Sequence, residues 1–228
     1  ANCVESNLES CRVSCTPFDE APRVMFDAPN IDLAALVEPV QIVAGEAGRR
    51  ILEVYASVFS VTEKADQSPV TEADLVAHGC ILRGLAKLTP DIPVLSEEAP
   101  DVGFAERSRW GWLWLVDPLD GTREFIKRSD QFSVNIALIH RHEVVFGLIL
   151  LPVVGIYYHA YRGGGAHKQL VGTRARRMQA ARVCHNPVRV VSSQSSYNTS
   201  RLQDYLSLLG PHQHLCLGGV LKSCLIAE

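Results

Sequence analysis

Four runs of strand length occupy the middle of the chain and are separated by short connections. Trp112 to Val116 is a continuous apolar run that stops at Asp117-Pro118. Three β-rich runs follow, at Phe132 to His140, Glu143 to Leu151 and Gly155 to Tyr161. Runs that succeed one another over such short turns are typical of antiparallel neighbours. The sequence therefore predicts a sheet built around an antiparallel meander.

Helices and further strands are predicted on both sides of these runs. Before them, an apolar stripe over residues 33–59 has helical spacing, and Pro39 inside it marks either a kink or the true first helical turn. Further elements are a strand at Pro93 to Ser96, a strand at Val188 to Ser192, a helix at Ser200 to Leu209 and a helix that begins at Gly219. This mixture of elements predicts an α/β protein.

A second helix is predicted from Thr71 to Leu88. Thr71 and Asp74 resemble a capping box in which Asp replaces the usual Glu or Gln. The helical spacing of Leu75, His78 and Leu85 predicts that these side chains belong to the buried face.

Composition and charge exclude several classes of protein. Hydrophobic residues make up 47% and charged residues 21% of the 228 residues, so disorder along the whole chain is excluded. The formal net charge of −3 gives no global field that favours nucleic acid. The longest apolar stretch, Val144 to Tyr158, is interrupted by Gly147 and Pro152, whereas a membrane span needs about 20 apolar residues. We expect a soluble protein without a transmembrane segment.

The first part of the chain differs from the rest. Residues 1–24 show neither helical nor strand periodicity and hold Cys3, Cys11 and Cys15, three of the seven cysteines. The odd count, the absence of Cys-x-x-Cys spacing and the lack of a hydrophobic signal core favour reduced thiols in a cytosolic protein over a zinc site. We expect an unstructured or foreign extension over 1–24, an N-terminal lobe with the functional site over 25–170 and the start of a C-terminal lobe over 171–228.

Acidic residues follow directly on the apolar strand run. Asp117-Pro118-Leu119-Asp120-Gly121-Thr122 places two carboxylates three residues apart across a turn, where they can converge on one hard cation. Glu97-Glu98 closes another strand and offers a third carboxylate. Because this donor set contains only oxygen, it favours Mg²⁺ or Mn²⁺ over zinc. Taken alone, the pair also fits two solvated turn carboxylates.

Several motifs together resemble one family. Asp117 to Thr122, continued by Arg123-Glu124-Phe125-Ile126, resembles the signature of the magnesium-dependent, lithium-sensitive phosphatases, which include inositol monophosphatases and bisphosphate nucleotidases. Lys64 to Asp74, Val94 to Glu98 and Phe132 to Ala137 agree in order and spacing. The Arg-Glu-Phe-Ile continuation is more similar to the 3'(2'),5'-bisphosphate nucleotidase branch than to the inositol branch. The resemblance implies a layered α-β-α-β-α fold.

The resemblance also implies a metal site. Glu97, Asp117, the Leu119 carbonyl and Asp120 would hold two or three Mg²⁺ ions, with Asp117 bridging two of them. Glu98 would support this site without being a ligand. These roles are carried over position by position from the motifs quoted above.

Catalytic and substrate-binding roles follow in the same way. Asp74 and Thr122, together with Glu97, would act on the attacking water. Gly121 and Thr122 would contact the phosphate that is removed, and Leu119, Asp120 and Lys222 would contribute to substrate binding. The substrate implied is adenosine 3',5'-bisphosphate, a nucleotide by-product of sulfur metabolism, cleaved to AMP and phosphate. An inositol monophosphatase-like activity is the alternative within the same family.

The chain also departs from the family pattern. That pattern continues past the last helix with a Trp-Asp-x-x-Ala segment whose Asp completes the second metal site, whereas this sequence stops at Glu228. We therefore expect a truncated second lobe and an uncovered apolar face that favours aggregation or a homodimer. The competing hypothesis is an inactive fragment or a non-catalytic phosphate-binding remnant. The expected location is cytoplasmic, with peripheral attachment to the cell membrane left open.

Two smaller departures concern substrate binding. The family's Gly-Ser-Ser-Leu-Lys turn is replaced by Gly218-Gly219-Val220-Leu221-Lys222, which loses two hydroxyls and keeps the lysine. The family's Ser-Arg-Ser-His stretch is replaced by Ser193-Gln194-Ser195-Ser196, which loses an arginine. For Lys222 and Ser193, a role as plain surface residues is as well supported as a functional one.

Overall fold

The structure, a computed structural model, describes residues 31–63, 69–181, 186–193 and 199–228. The helices in these ranges are α1 (Val37–Tyr55), α2 (Glu72–Leu88), α3 (Phe104–Arg107), α4 (Thr122–Ile126), α5 (Ser200–Leu209) and α6 (Leu221–Ala227). The strands are β1 (Val61–Glu63), β2 (Pro69–Thr71), β3 (Val94–Ser96), β4 (Trp112–Asp120), β5 (Ser133–His140), β6 (Glu143–Leu151), β7 (Ile156–Tyr161), β8 (Gly165–Leu170), β9 (Arg176–Arg177), β10 (Val188–Ser193) and β11 (His212–Leu217). The expectation for 1–24 lies outside the described residues.

Strands β3 to β9 form one large sheet in sequence order. β3 and β4 are parallel, and every later pair in this sheet is antiparallel. The predicted meander is therefore confirmed, and it extends by two strands beyond Tyr161. β10 and β11 form a separate parallel pair. The mixture of helices and sheets confirms the predicted α/β class.

α1 and α2 cover one face of the large sheet and form the main core with it. Small and branched side chains of the two helices are fully buried there: Val40, Ala44, Ala47 and Ile51 of α1, and Ala73, Ala77, Ile81 and Leu85 of α2. Trp114 of β4 is also fully buried, and its Nε1 donates to Thr89 Oγ1 at 2.8 Å. This hydrogen bond joins the end of α2 to the strand that carries the acidic residues.

α2 begins as predicted, and its buried face agrees with the prediction in part. The Thr71–Asp74 capping box is present, which confirms the predicted start of the helix. The prediction for Leu75 is wrong, because this side chain is 55% exposed. Leu85 is fully buried, as predicted. Ala77 lies on the buried face with Ile81 and Leu85, since a small residue lets α1 approach closely. Pro39 is the third residue of α1, so it lies in the first helical turn.

α6 lies on the face of the sheet opposite α1. Neighbouring residues in a strand point to opposite faces. The Tyr157 hydroxyl donates to the Gln41 carbonyl of α1 at 3.3 Å, whereas Tyr158 packs with Leu151 and Cys224 of α6 in a second apolar cluster. The helices therefore form layers on both sides of the sheet. No helix in the described ranges is long and apolar enough to cross a membrane.

Candidate metal and phosphate site

Parallel pairing of β3 and β4 brings two acidic residues together. Ser96 pairs with Val116, and the Glu97 backbone N–H donates to the Val116 carbonyl at 3.0 Å. Glu97 therefore follows β3 beside Asp117 of β4, close enough for its charge to raise the pKa of Asp117. The structure thus brings together two of the predicted metal ligands.

Asp117 has an environment that opposes its own charge. Burial, followed by the neighbouring charges of Glu97 and Asp120, raises the pKa of Asp117 to about 7. Its Oδ1 atom is buried and has no hydrogen-bond partner in the described part of the chain. A buried carboxylate oxygen without a donor is costly unless a proton or a cation neutralises it. The site therefore has the chemistry of a cation site with oxygen ligands.

The strand does not stop at Asp117, as the sequence suggested, but continues to Asp120. The pairing register with β5 shifts between Asp117 and Asp120, which marks an irregularity at Pro118-Leu119. Gly121 follows with φ of 94°, and a Cβ there would lie 2.7 Å from the Gln131 carbonyl oxygen. Only glycine fits this left-handed, crowded position. The chain then enters α4 at Thr122.

Asp74 and Thr122 meet although they are 48 residues apart. The Thr122 hydroxyl lies 3.3 Å from Asp74 Oδ1 and 3.3 Å from the Leu119 carbonyl, and its single proton can be donated to either. Asp74 Oδ2 accepts the Thr71 N–H at 2.7 Å and the Thr71 hydroxyl at 2.6 Å. Burial raises the pKa of Asp74, and the hydrogen bonds from Thr71 and Thr122 oppose this rise. Asp74 is thus a fixed, 98% buried acceptor for the Thr122 hydroxyl.

Asp120 makes a contact that the sequence did not predict. Its Oδ2 accepts the Val220 backbone N–H at 2.7 Å and the Ser133 hydroxyl at 3.4 Å. Gly219 has φ of 50°, and a Cβ there would lie 2.5 Å from Asp120 Oδ2. The loop before α6 therefore lies directly on a carboxylate of β4. Nothing in the pattern around Gly219 indicates this partner, because the contact spans 100 residues.

Lys222 lies at the start of α6 and points back to its own loop. Its Nζ donates to the Gly219 carbonyl at 2.6 Å and to the Leu217 carbonyl at 3.4 Å. Lys222 and Asp120 therefore both contact the short loop of Gly219 and Val220, which lies between them. Gln194, Ser195 and Ser196 of the replaced family stretch, like 64–68 of the Lys64 to Asp74 motif, lie outside the described residues.

A cavity of about 730 Å³ opens beside these carboxylates, between the sheet and α6. Glu97 and Asp117 lie at its border, and apolar residues such as Ala137, Ile149 and Val220 form much of its wall. Cavities of this volume are in the range of small-molecule sites. In the described ranges, no three side chains of His, Cys, Asp or Glu already surround one point as a ligand set.

The comparisons with known proteins identify the family. The model of the inositol monophosphatase family matches residues 32–228. The chain belongs to the inositol monophosphatase family. This result confirms the resemblance drawn from the motifs, and the match contains all the acidic residues of the candidate site.

Curated members of the inositol monophosphatase family are similar over most of the chain. The 3'(2'),5'-bisphosphate nucleotidase CysQ of Escherichia coli O157:H7 is 46% identical over 195 residues, which are 85% of this chain and 77% of that protein. The CysQ protein of Buchnera aphidicola is 33% identical over 205 residues, which are 89% of this chain and 76% of that protein.

A solved family structure has the same architecture. CysQ from Bacteroides thetaiotaomicron is 36% identical and superposes with a TM-score of 0.70, covering 86% of this chain and 77% of that one. The suhB protein from Bartonella henselae is 25% identical and superposes with a TM-score of 0.68, covering 84% of this chain and 74% of that one. The layered fold predicted from the motifs is thus confirmed.

Proposed function

We propose that this protein is a Mg²⁺-dependent 3'(2'),5'-bisphosphate nucleotidase. It would remove the 3'-phosphate from adenosine 3',5'-bisphosphate and give AMP and phosphate. The observation that carries the proposal is the buried Asp117 oxygen, which has no hydrogen-bond donor in the described residues and whose carboxyl group is under the charges of Glu97 and Asp120. Its support is the similarity to the CysQ nucleotidases over 85% of the chain.

The donor set fits the metal that this function needs. We propose that Glu97, Asp117, the Leu119 carbonyl and Asp120 hold two or three Mg²⁺ ions. The crowding of carboxylates that raises the pKa of Asp117 is relieved when a divalent cation balances their charge. A bound ion of this kind polarises the phosphoester and lowers the pKa of water.

Asp74 and Thr122 form the proton-accepting pair of the proposed reaction. The Asp74 carboxylate accepts the Thr122 hydroxyl proton at 3.3 Å, which leaves the oxygen lone pairs of Thr122 free to accept a proton from water. Thr71 holds the other carboxylate oxygen through two hydrogen bonds. Asp74 is therefore oriented before substrate arrives, which favours general-base catalysis.

Residues at the start of α4 and α6 would contact the substrate. Gly121 and Thr122 border the proposed metal ligands and would contact the phosphate that is removed. We propose that Lys222 contributes a positive charge to the bound nucleotide after leaving the Gly219 carbonyl. The expectations of a homodimer and of a cytoplasmic location stay predictions.

Phosphate release with purified protein tests the proposal. Adenosine 3',5'-bisphosphate, inositol 1-phosphate and AMP would be compared with and without Mg²⁺. We expect Mg²⁺-dependent release from the bisphosphate and a loss of at least about 100-fold in Asp117→Asn. Asp91→Asn, at an exposed position after α2, is the matched control and should retain full activity. Faster release from inositol 1-phosphate, or full activity of Asp117→Asn, would contradict the proposal.

A further inference from the structure

Tyr55, the last residue of α1, is joined to the loop that follows α4. Its hydroxyl donates to Asp130 Oδ1 at 2.8 Å and accepts the Asp130 backbone N–H at 3.3 Å. Its ring lies 4.9 Å from the ring of Phe125 and 5.0 Å from that of Phe132. Tyr55 therefore contacts both Phe125 of α4, before the loop, and Asp130 and Phe132 near the end of the loop.

The loop, residues 127–132, has an unusual backbone that this contact holds in place. Arg128 has φ of 56° and Asp130 has φ of 62°, both in the left-handed region that residues other than glycine seldom occupy. The Arg128 guanidinium lies 4.8 Å from the ring centres of Tyr55 and Phe59 and donates to the Ser57 carbonyl at 2.7 Å. Such backbone persists only where neighbouring groups hold it.

Gln131, the next residue, connects this loop to the candidate site. Its carbonyl oxygen lies 2.7 Å from the place where a Cβ of Gly121 would be, so it packs directly against the turn before Thr122. Its Oε1 atom accepts the Gly218 backbone N–H at 2.7 Å. Gly218 belongs to the loop whose Val220 N–H binds Asp120. The main-chain carbonyl and the side chain of Gln131 thus both contact backbone that borders the acidic cluster, which is formed by Glu97, Asp117 and Asp120.

We propose that Tyr55 is a positioning residue for the reaction. Its hydroxyl fixes Asp130, Asp130 fixes Gln131, and Gln131 sets the position of Gly121 and of the Gly218–Val220 loop. Tyr55 does not reach the reacting atoms. This inference rests on the proposed function for its kinetic readout but predicts a structural effect that needs no activity.

The kinetic test removes one hydroxyl and keeps the ring. In Tyr55→Phe we expect kcat to fall about tenfold with KM changed less than about twofold, because a small shift of positioned groups acts on the transition state. Tyr157→Phe is the matched control: its hydroxyl also binds α1, at the Gln41 carbonyl, but far from the acidic cluster. It should retain kcat within about twofold. Equal losses in the two variants would overturn the inference.

Asp130 allows a rescue and a coupling test. Asp130→Asn keeps an oxygen that accepts the Tyr55 hydroxyl and should retain near-normal kcat, whereas Asp130→Ala loses this acceptor but keeps the backbone N–H contact, so its kcat should lie between the wild type and Tyr55→Phe. Since Tyr55→Phe already removes both contacts with residue 130, the double variant Tyr55→Phe/Asp130→Ala should be no slower than Tyr55→Phe alone. Multiplied losses in the double variant would overturn the inference.

Hydrogen exchange provides the readout that is independent of catalysis. The Gly218 N–H is bound to Gln131 and the Val220 N–H to Asp120, so both amides should exchange faster in Tyr55→Phe and unchanged in Tyr157→Phe. If the wild-type protein released no phosphate, the proposed function would fail. Hydrogen exchange at the two amides would then be the only test of whether Tyr55 positions this loop. Unchanged exchange at both amides in Tyr55→Phe would overturn the inference.

Discussion

The Asp120 carboxylate accepts the backbone N–H of Val220 at 2.7 Å, which joins the end of β4 to the loop before α6. Since Asp120 is also a proposed metal ligand, the same carboxylate serves the docking of a loop and the charge balance of the site. The environment of Asp120 therefore depends on residues from two distant parts of the chain.

The close approach of Gly219 to Asp120 predicts a cost for any side chain there. In Gly219→Ala a Cβ would lie 2.5 Å from Asp120 Oδ2 at φ of 50°, so we expect a loss of about 2 kcal/mol in the free energy of unfolding. Gly172 is the control, because its φ is also positive, at 77°, with nothing within 4 Å of the Cβ position. Gly172→Ala should lose about 1 kcal/mol, from backbone strain alone. Urea unfolding measures both, and equal losses would show that the contact with Asp120 is unimportant.

The raised pKa of Asp117 predicts how the affinity for Mg²⁺ depends on pH. A cation binds the carboxylate and competes with the proton, so affinity should fall as the pH decreases below about 7. Calorimetric titration of Mg²⁺ at pH 6 and pH 8 should show about tenfold weaker binding at the lower pH. In Asp117→Asn binding should be weak at both values. Equal affinity at pH 6 and pH 8 in the wild-type protein would contradict the assignment.

The same pKa predicts how the stability of the metal-free protein changes with pH. The folded-state pKa of Asp117, about 7, lies above the value of about 3.9 in an unfolded chain. Its protonation therefore favours the folded state fully below about pH 4, and this contribution is lost as the pH rises to about 7. We expect Asp117→Asn to be more stable than the metal-free wild type at pH 8 by about 2 kcal/mol. Thermal unfolding in the presence of a chelator measures the difference, and a less stable variant would contradict it.

The contact of Thr122 with Asp74 predicts a dependence on the hydroxyl. Thr122→Val keeps the shape and removes the group that Asp74 accepts, so kcat should fall about 100-fold or more. Thr122→Ser keeps the hydroxyl and should stay within about tenfold of the wild type. Steady-state phosphate release distinguishes the two, and similar rates in both variants would exclude a role for the hydroxyl.

The capping box at the start of α2 predicts a linked loss of stability and activity. Thr71→Ala removes one of the two groups that bind Asp74 Oδ2 and should cost about 1 kcal/mol in the free energy of unfolding. We also expect kcat to fall, because Asp74 loses a contact that orients it towards Thr122. Thr71→Ser keeps the capping hydroxyl and should retain both the stability and the kcat of the wild type. A stable Thr71→Ala protein with normal kcat would contradict this prediction.

Local patterns in the sequence were sufficient for most of the secondary structure. The capping residues Thr71 and Asp74 predicted the start of α2, and short connections between apolar runs predicted the β5–β7 meander, since both signals act between near neighbours. Leu75 was misplaced because helical spacing alone does not show which stripe faces a partner. α1 packs against the side of α2 that carries the small residue Ala77, which leaves Leu75 exposed.

The acidic cluster was predictable in its members and not in its surroundings. Glu97 and Asp117 each follow an apolar run of strand length, so their meeting could be expected at one edge of the sheet. The contacts of Asp120 with Val220 and of Gln131 with Gly218 depend on two loops more than 80 residues apart in the chain. No periodicity or motif within one segment carries that information.

The hydrogen bond from Val220 to Asp120 also bears on the order of folding. It closes a segment of 100 residues, whereas the strands of the meander pair across turns of a few residues. Closing a longer segment costs more chain entropy, so this bond should form after the meander. During that interval the Asp120 carboxylate would lack the Val220 amide that later binds it, and the loop before α6 would not yet be held to the end of β4.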